Sequence, residues 1–172
     1  MATLTTSWQL IDQTYLGTSG GNLYVRLYAR YSEQDITNNR TYVYYEARSY
    51  YDKSYIYDQQ GTIAVSGTGA SYQSAGCTRP TTGESVSVTT SGWVSHNSDG
   101  TGSASGSATI NFPNWGWSGT ASGSFTLPTI PRASEVACSS PYIGDNAIIS
   151  IDKKSSAFTN TVTYKIGTLT GT

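Results

Sequence analysis

The sequence predicts an all-β protein: an antiparallel β-sandwich, immunoglobulin-like or jelly-roll-like, followed by a partial second β-domain. Three observations lead there. Several runs alternate apolar and polar residues with period two, as a strand does with one face in a core and one in water. Turn signals rich in Gly, Asn, Asp and Ser separate those runs at hairpin spacing. No stretch carries a 3.6-residue apolar period over three turns, so no helix of consequence is expected. A closed barrel is the alternative arrangement of the same strands.

Taken in order, residues 3–12 form the first candidate strand. In "NLYVRLYARYS", Leu23, Val25, Leu27, Ala29 and Tyr31 point one way, and Tyr24, Arg26, Tyr28 and Arg30 the other. "RTYVYYEARSYY" alternates too, with Val43, Tyr45 and Ala47 opposing Tyr42, Tyr44, Glu46 and Arg48. Shorter candidates lie at 54–57, 61–67 and 84–90. "TGSASGSATINF" is a small-residue strand. Ala104, Gly106, Ala108, Ile110 and Phe112 share one face, and Ser103, Ser105, Ser107, Thr109 and Asn111 the other. Side chains this small let a neighbouring sheet come close. Residues 119–127 complete the set, after "NWGW", whose Trp115 and Trp117 have the same parity and suit one end of the core.

The stretch "GSFTLPTIPRAS" (123–134) reads as a boundary. Pro128 and Pro131 stiffen an extended link and end strand pairing. The expected division is a β-sandwich over 1–130, then a Pro-containing hinge and partial immunoglobulin-like segment over 131–172. Strand candidates in the second part are "SEVACSS", "NAIISID" and "AFTNTVTYKIG". Three strands bury too little to fold alone. The segment is therefore expected to pack on the first domain, pair with another chain, or open a longer domain.

Composition narrows the function. Of 172 residues, 37% are hydrophobic and 12% charged, about half the usual charged share. Gly, Ser, Thr and Tyr fill the difference, and they favour strands and turns. The 14 Tyr and 4 Trp supply enough burial to argue against disorder. The net charge is −1 and no basic stripe occurs, so nucleic acid is not an expected partner. The start, "MATLTTSWQL", lacks a basic region followed by an apolar run, so no signal peptide is expected. No segment has the apolar length of a membrane helix, and no membrane partner is expected. Without a secretory signal, Cys77 and Cys138 are read as free thiols.

Residues suited to catalysis are few. The one histidine, His96, lies in "HNSDG" with Ser and Asp nearby. Asp99-Gly100 is what a tight hairpin asks for, and triad members usually come from distant segments. His96 and Asp99 are therefore assigned to the turn, and no catalytic residue is named. One His and two dispersed Cys give no zinc spacing, and no loop has calcium-ligand alternation. No metal and no cofactor is expected.

The aromatics are more informative. "YVYYEARSYYDKSYIY" places tyrosines of both parities, which cannot all enter one core. Exposed Tyr and Trp offer flat apolar faces with a polar tip, suited to stacking on sugar rings or to protein contact. The candidate ligand-binding residues are Tyr24, Tyr28, Tyr42, Tyr44 and Trp115, with Arg26 and Arg48 as hydrogen-bond donors to hydroxyls. The competing reading makes these tyrosines ordinary cross-strand pairs on a solvated sheet face.

"SGWVSHNSDGTGSASGSATINF" and "WGWSGTASGSFTLPTIPRAS" resemble a structural-protein family of siphophages, long-tailed bacteriophages of Gram-positive hosts, largely of unknown function. The shared features are a Trp-Val-x-His-Asn-x-Asp-Gly hairpin, a Ser/Ala/Gly strand and a Phe-Thr-Leu-Pro-Thr-Ile-Pro-Arg-Ala-Ser junction. "QDITNNRTYVYYEA" is similar to that family's approach to a strand, and "SSAFTNTVTYKIGTLTGT" to the start of its next β-domain. The resemblance runs from Asn22 to Thr172, and members of that family are longer than this chain. It implies a virion component, assembled in the host cytoplasm, of the tail tip or another appendage. Its expected partners are other virion proteins, further copies in a homo-oligomer, and host cell-wall polysaccharide. It brings no catalytic residues. A purely architectural module is the alternative. A carbohydrate-active enzyme or stand-alone carbohydrate-binding module is a further one.

Overall fold

Period-two alternation builds one antiparallel sheet, seen in a computed structural model of the chain. The structure describes residues 2–18, 21–52, 60–78, 82–132, 135–138, 149–152, 164–166 and 169–171. The sheet strands are β1 (Gln9–Thr18), β2 (Asn22–Asp35), β3 (Arg40–Tyr51) and β4 (Gln60–Gly67). They continue with β5 (Ala70–Thr78), β6 (Gly83–Ser95), β7 (Gly102–Phe112) and β8 (Trp117–Leu127). Their spatial order is β1-β2-β3-β6-β5-β4-β7-β8. The sheet folds into two layers, β1-β2-β3-β6 against β5-β4-β7-β8, around one core. The expected β-sandwich is thus observed in a nearly closed, barrel-like form.

The two seams explain that near-closure. Between β5 and β6 a single register pair, Ala70 with Gly92, joins the layers. The backbones approach so closely that a Cβ on Gly92 would lie 1.9 Å from the carbonyl oxygen of Gly69. Between β8 and β1, isolated contacts replace a continuous ladder. Leu4 N–H donates to Thr126 O at 2.9 Å, and Thr126 N–H to Ala2 O at 3.0 Å. Ser122 N–H donates to the Asp12 carboxylate at 2.9 Å, and the Thr14 hydroxyl to Thr120 O at 2.8 Å.

The core follows the predicted parity. Leu23, Val25, Leu27 and Ala29 of β2 and Val43, Tyr45 and Ala47 of β3 are fully buried. Ala104, Ala108, Ile110 and Phe112 of β7 and Ala121, Phe125 and Leu127 of β8 meet them from the opposite layer. Tyr45 crosses between the layers. Its hydroxyl donates to Thr68 O at 2.9 Å, and its ring lies 6.1 Å from Phe125. A Cβ on Gly67 would fall 2.4 Å from that ring, so the glycine makes room for the tyrosine. Burial pushes the Tyr45 phenol well above its usual pKa.

Some expectations are corrected. The first strand runs Gln9–Thr18 rather than over 3–12, and Thr3 makes only an isolated parallel bridge to Thr126. Its apolar residues do not alternate cleanly because register shifts interrupt β1 between Leu10 and Asp12 and between Tyr15 and Gly17. β5 adds a strand that has no sequence signal: "ASYQSAGCT" is largely exposed and carries no apolar alternation. The candidate at 54–57 lies outside the described residues. Beyond Arg132, β9 (Glu135–Cys138) pairs with β10 (Ile149–Asp152), and β11 (Tyr164–Ile166) with β12 (Leu169–Gly171). These fall within the three strand-forming stretches read from the sequence and just after them.

Candidate functional site

Among the described residues, the outer face of β1-β2-β3-β6 gathers most of the aromatic residues the core does not take. In β2 the outward positions are Tyr24, Arg26, Tyr28 and Arg30; in β3 they are Tyr42, Tyr44, Glu46, Arg48 and Tyr50. Register aligns them into rows. Tyr15 of β1 faces Tyr24, which faces Tyr50, which faces Glu84 of β6. One step along, Gln13 faces Arg26 and Arg26 faces Arg48. Further on, Arg30 faces Tyr44 and Tyr42 faces Trp93. The face is a consequence of alternation plus register, since β2 and β3 each contribute their even-numbered residues over this stretch.

Arginines and rings alternate across it. The Arg26 guanidinium sits 3.8 Å from the Tyr50 ring centroid, Arg48 4.2 Å from Tyr28, Arg30 4.4 Å from Tyr44, and Arg40 4.4 Å from Trp93. These are cation–π distances. Trp8 comes within 5.1 Å of Arg30 and 5.8 Å of Arg48. Tyr42 meets Tyr44 and Trp93 edge-on, with centroids 5.3 and 5.0 Å apart.

Carboxylates tie the arrangement together. Glu84 accepts from Arg26 at 3.1 Å, from Arg48 at 2.8 Å and from the Tyr28 hydroxyl at 2.5 Å. Glu46, only 3% exposed although it faces outward, is covered by its ion pair with Arg48. Asp35 accepts from Arg40 at 3.0 Å. Burial pulls the Glu84 pKa upward, but hydrogen bonds from Tyr28, Arg48 and Arg26 outweigh it and hold the carboxyl below its usual range. Burial, together with the hydrogen bond to Glu84, raises the Tyr28 phenol. Burial works against the charge on Arg48, yet its bonds to Glu46 and Glu84 prevail and raise its pKa.

The structure therefore brings Tyr24, Arg26, Tyr28, Tyr42, Tyr44 and Arg48 onto one surface, each half-buried. Trp115 stands apart, in the 3-10 turn Pro113–Trp115 before β8, and its side chain lies outside the described residues. Sequence reasoning missed Trp8, Arg30, Arg40, Tyr50, Glu84 and Trp93. Parity alone could have found Arg30 and Tyr50. Trp8, Glu84 and Trp93 needed the strand register.

His96 has both ring nitrogens engaged. Nδ1 lies 2.8 Å from Gly100 O, a carbonyl that can only accept, so Nδ1 donates and Nε2, 2.8 Å from the Thr41 hydroxyl, accepts. Asp99 accepts from Thr101 N–H at 2.9 Å and so closes the turn. Gly100 has φ 83°, and Ile130 N–H donates to its carbonyl at 2.9 Å. Cys77 is a free, half-buried thiol pushed up to about 11 by burial, which leaves it a weak nucleophile at neutral pH.

No curated protein matches the chain. Residues 14–172 do match the model of a family described as siphovirus protein of unknown function (DUF859). That span takes in the whole aromatic and arginine face except Trp8 and Gln13, together with the His96 turn and the Pro128–Pro131 link, and the chain accordingly belongs to this siphovirus family.

Proposed function

We propose that the protein is a non-enzymatic structural component of the siphovirus particle, within the tail tip or another appendage. The aromatic and arginine face of β1-β2-β3-β6 is where it docks on neighbouring virion proteins, further copies of the chain included. One observation carries this reading. The guanidiniums of Arg26, Arg48, Arg30 and Arg40 already cover the rings of Tyr50, Tyr28, Tyr44 and Trp93 at 3.8–4.4 Å. A sugar would need those ring faces free, whereas a protein partner would not. Tyr, Trp and Arg together are also the composition of interface hot spots. Mutual stacking holds these side chains in place, which lowers the ordering cost of docking. Glu84, Glu46 and Asp35 neutralise Arg26, Arg48 and Arg40, so the face offers no basic stripe to nucleic acid.

Host-glycan adhesion remains as a second reading at one corner. Tyr15 is 49% exposed, and its ring lies 5.5 Å from Tyr24, which Arg26 approaches only to 6.0 Å. This pair could still stack on a sugar. The paired substitution Tyr42→Ser with Tyr44→Ser tests the first reading, and Tyr15→Ser the second. Docking predicts that the first variant folds but dissociates, in sedimentation, at concentrations where the parent assembles, or fails to enter particles. Adhesion predicts that Tyr15→Ser weakens adsorption to host cell walls by about 1 kcal/mol with assembly intact. If neither variant changes either readout, the tyrosines are ordinary cross-strand pairs.

A further inference from the structure

Of the arginines stacked on this face, Arg30 differs from the rest. Arg26 pairs with Glu84 at 3.1 Å, Arg40 with Asp35 at 3.0 Å, and Arg48 with both Glu46 and Glu84. Arg30 makes no hydrogen bond or ion pair with any described residue. Its Nε is closed off from solvent and has no acceptor. The guanidinium lies 5.1 Å from the Trp8 ring centroid and 4.4 Å from that of Tyr44. Glu33 lies at the same end of the face, opposite Tyr42, but forms no ion pair with Arg30.

A half-buried cation without a counter-charge is costly, and with Nε shielded the two Nη groups are the donors left for a partner. Contact with two rings and a solvent-shielded Nε lower the local dielectric beside the fork, which strengthens any ion pair formed there. We propose that Arg30 is the anion-anchoring residue of this face, and that its ligand is the carboxylate of an acidic side chain on a partner protein, taken bidentately by the two Nη groups beside Trp8 and Tyr44. A carboxylate matches the two parallel donors of a guanidinium fork. The choice of a protein carboxylate rests on the reading that the face docks proteins, because aromatic residues around a desolvated charge pair are the anatomy of an interface hot spot.

The test is an NMR titration of the full chain at fixed ionic strength with hexaglutamate, hexalysine and inorganic phosphate in parallel. The shielded Arg30 Nε–H and the Trp8 indole N–H are the reporters. Expected are saturable shifts of both signals with hexaglutamate alone, weakened at least about tenfold by Arg30→Gln. Arg30→Lys should retain part of the affinity, because an ammonium lacks the fork. Glu33→Gln should leave the free-protein signals in place. The proposal is overturned if no shift saturates or if the response survives Arg30→Gln. An equal response to phosphate also overturns it, since the site would then take phosphate or any small anion. So does movement of the Arg30 signal on Glu33→Gln in the free protein, which would make Glu33 the partner. Docking of the same variants separates the two proposals. If Tyr42→Ser with Tyr44→Ser abolishes assembly while Arg30→Gln does not, the docking face stands and its anion anchor falls. If neither affects assembly, both fall.

Discussion

The outer faces of the two layers share a backbone design and differ in almost everything else. On β1-β2-β3-β6, arginines alternate with tyrosine and tryptophan rings, and carboxylates stitch them together. On the other layer, no charged residue occurs anywhere in β4, β5, β7 or β8. Its surface is mostly Ser and Thr hydroxyls, with Tyr72 exposed on β5. β7 and β8 set identical residues opposite one another: Ser105 with Ser124, Gly106 with Gly123, Ser107 with Ser122, Ala108 with Ala121 and Thr109 with Thr120. The Thr109 and Thr120 hydroxyls meet at 3.0 Å. The first face orders long side chains, each costing up to about 2 kcal/mol of rotamer entropy, and recovers it through stacking and ion pairs. The second orders short ones at little cost and recovers little beyond the ladder itself. A face that orders its side chains in advance is suited to binding, and this difference is why the functional reading falls on the first layer.

The strongest way to break the comparison is to uncouple the layers. The turn between β6 and β7 joins one to the other, and a Cβ on Gly100 would lie 1.8 Å from Ile130 O at a φ of 83°. Gly100→Val should cost on the order of 4 kcal/mol or prevent folding, read as the urea midpoint or the loss of soluble protein. His96→Ala in the same turn should leave any sugar binding unchanged. Next in size is Gly106→Val, which drives a side chain from the hydroxyl layer toward the Tyr45 ring, 2.8 Å from where the new Cβ would sit. A loss of about 2 kcal/mol in equilibrium unfolding is expected from overpacking.

Smaller effects sharpen the contrast between the faces. Tyr44→Ser removes a ring under Arg30 and should cost about 1 kcal/mol, while Ser107→Ala on the hydroxyl face should stay within about 0.5 kcal/mol. Similar losses at both positions would mean that the stacking contributes nothing. The smallest predicted effect is a pH dependence carried on the first face by Glu84. Glu84 has a lowered folded pKa, so its stabilisation is fully present above the ordinary glutamate value of about 4.3 and is lost as pH falls through the lowered one. Between neutral and strongly acid pH, Glu84→Gln should lose less stability than the parent. Equal losses would show that Glu84 does not couple to folding.

Much of this was legible in the residues. Alternation in "NLYVRLYARYS" and "RTYVYYEARSYY" assigned Leu23 to Ala29 and Val43 to Ala47 to the core and their neighbours to water, because a strand has only two faces. The small-residue face of β7 was equally plain. β5 was not, because a strand exposed on nearly every position has no apolar pattern to betray it. The extent of β1 escaped for a related reason: bulges reset its parity.

By itself, then, the chain determined its class, its core faces and the identity of the outward Tyr and Arg residues, since each depends only on a period of two along one strand. Only the tertiary structure decided which of those residues meet. Glu84 lies 58 positions from Arg26 and 56 from Tyr28, yet binds both. Trp8 flanks Arg30 only because β1 pairs with β2 in the observed register. Register is set by packing across the whole sheet, which local alternation cannot express. It is register that covers the rings with guanidiniums and leaves Arg30 without a carboxylate.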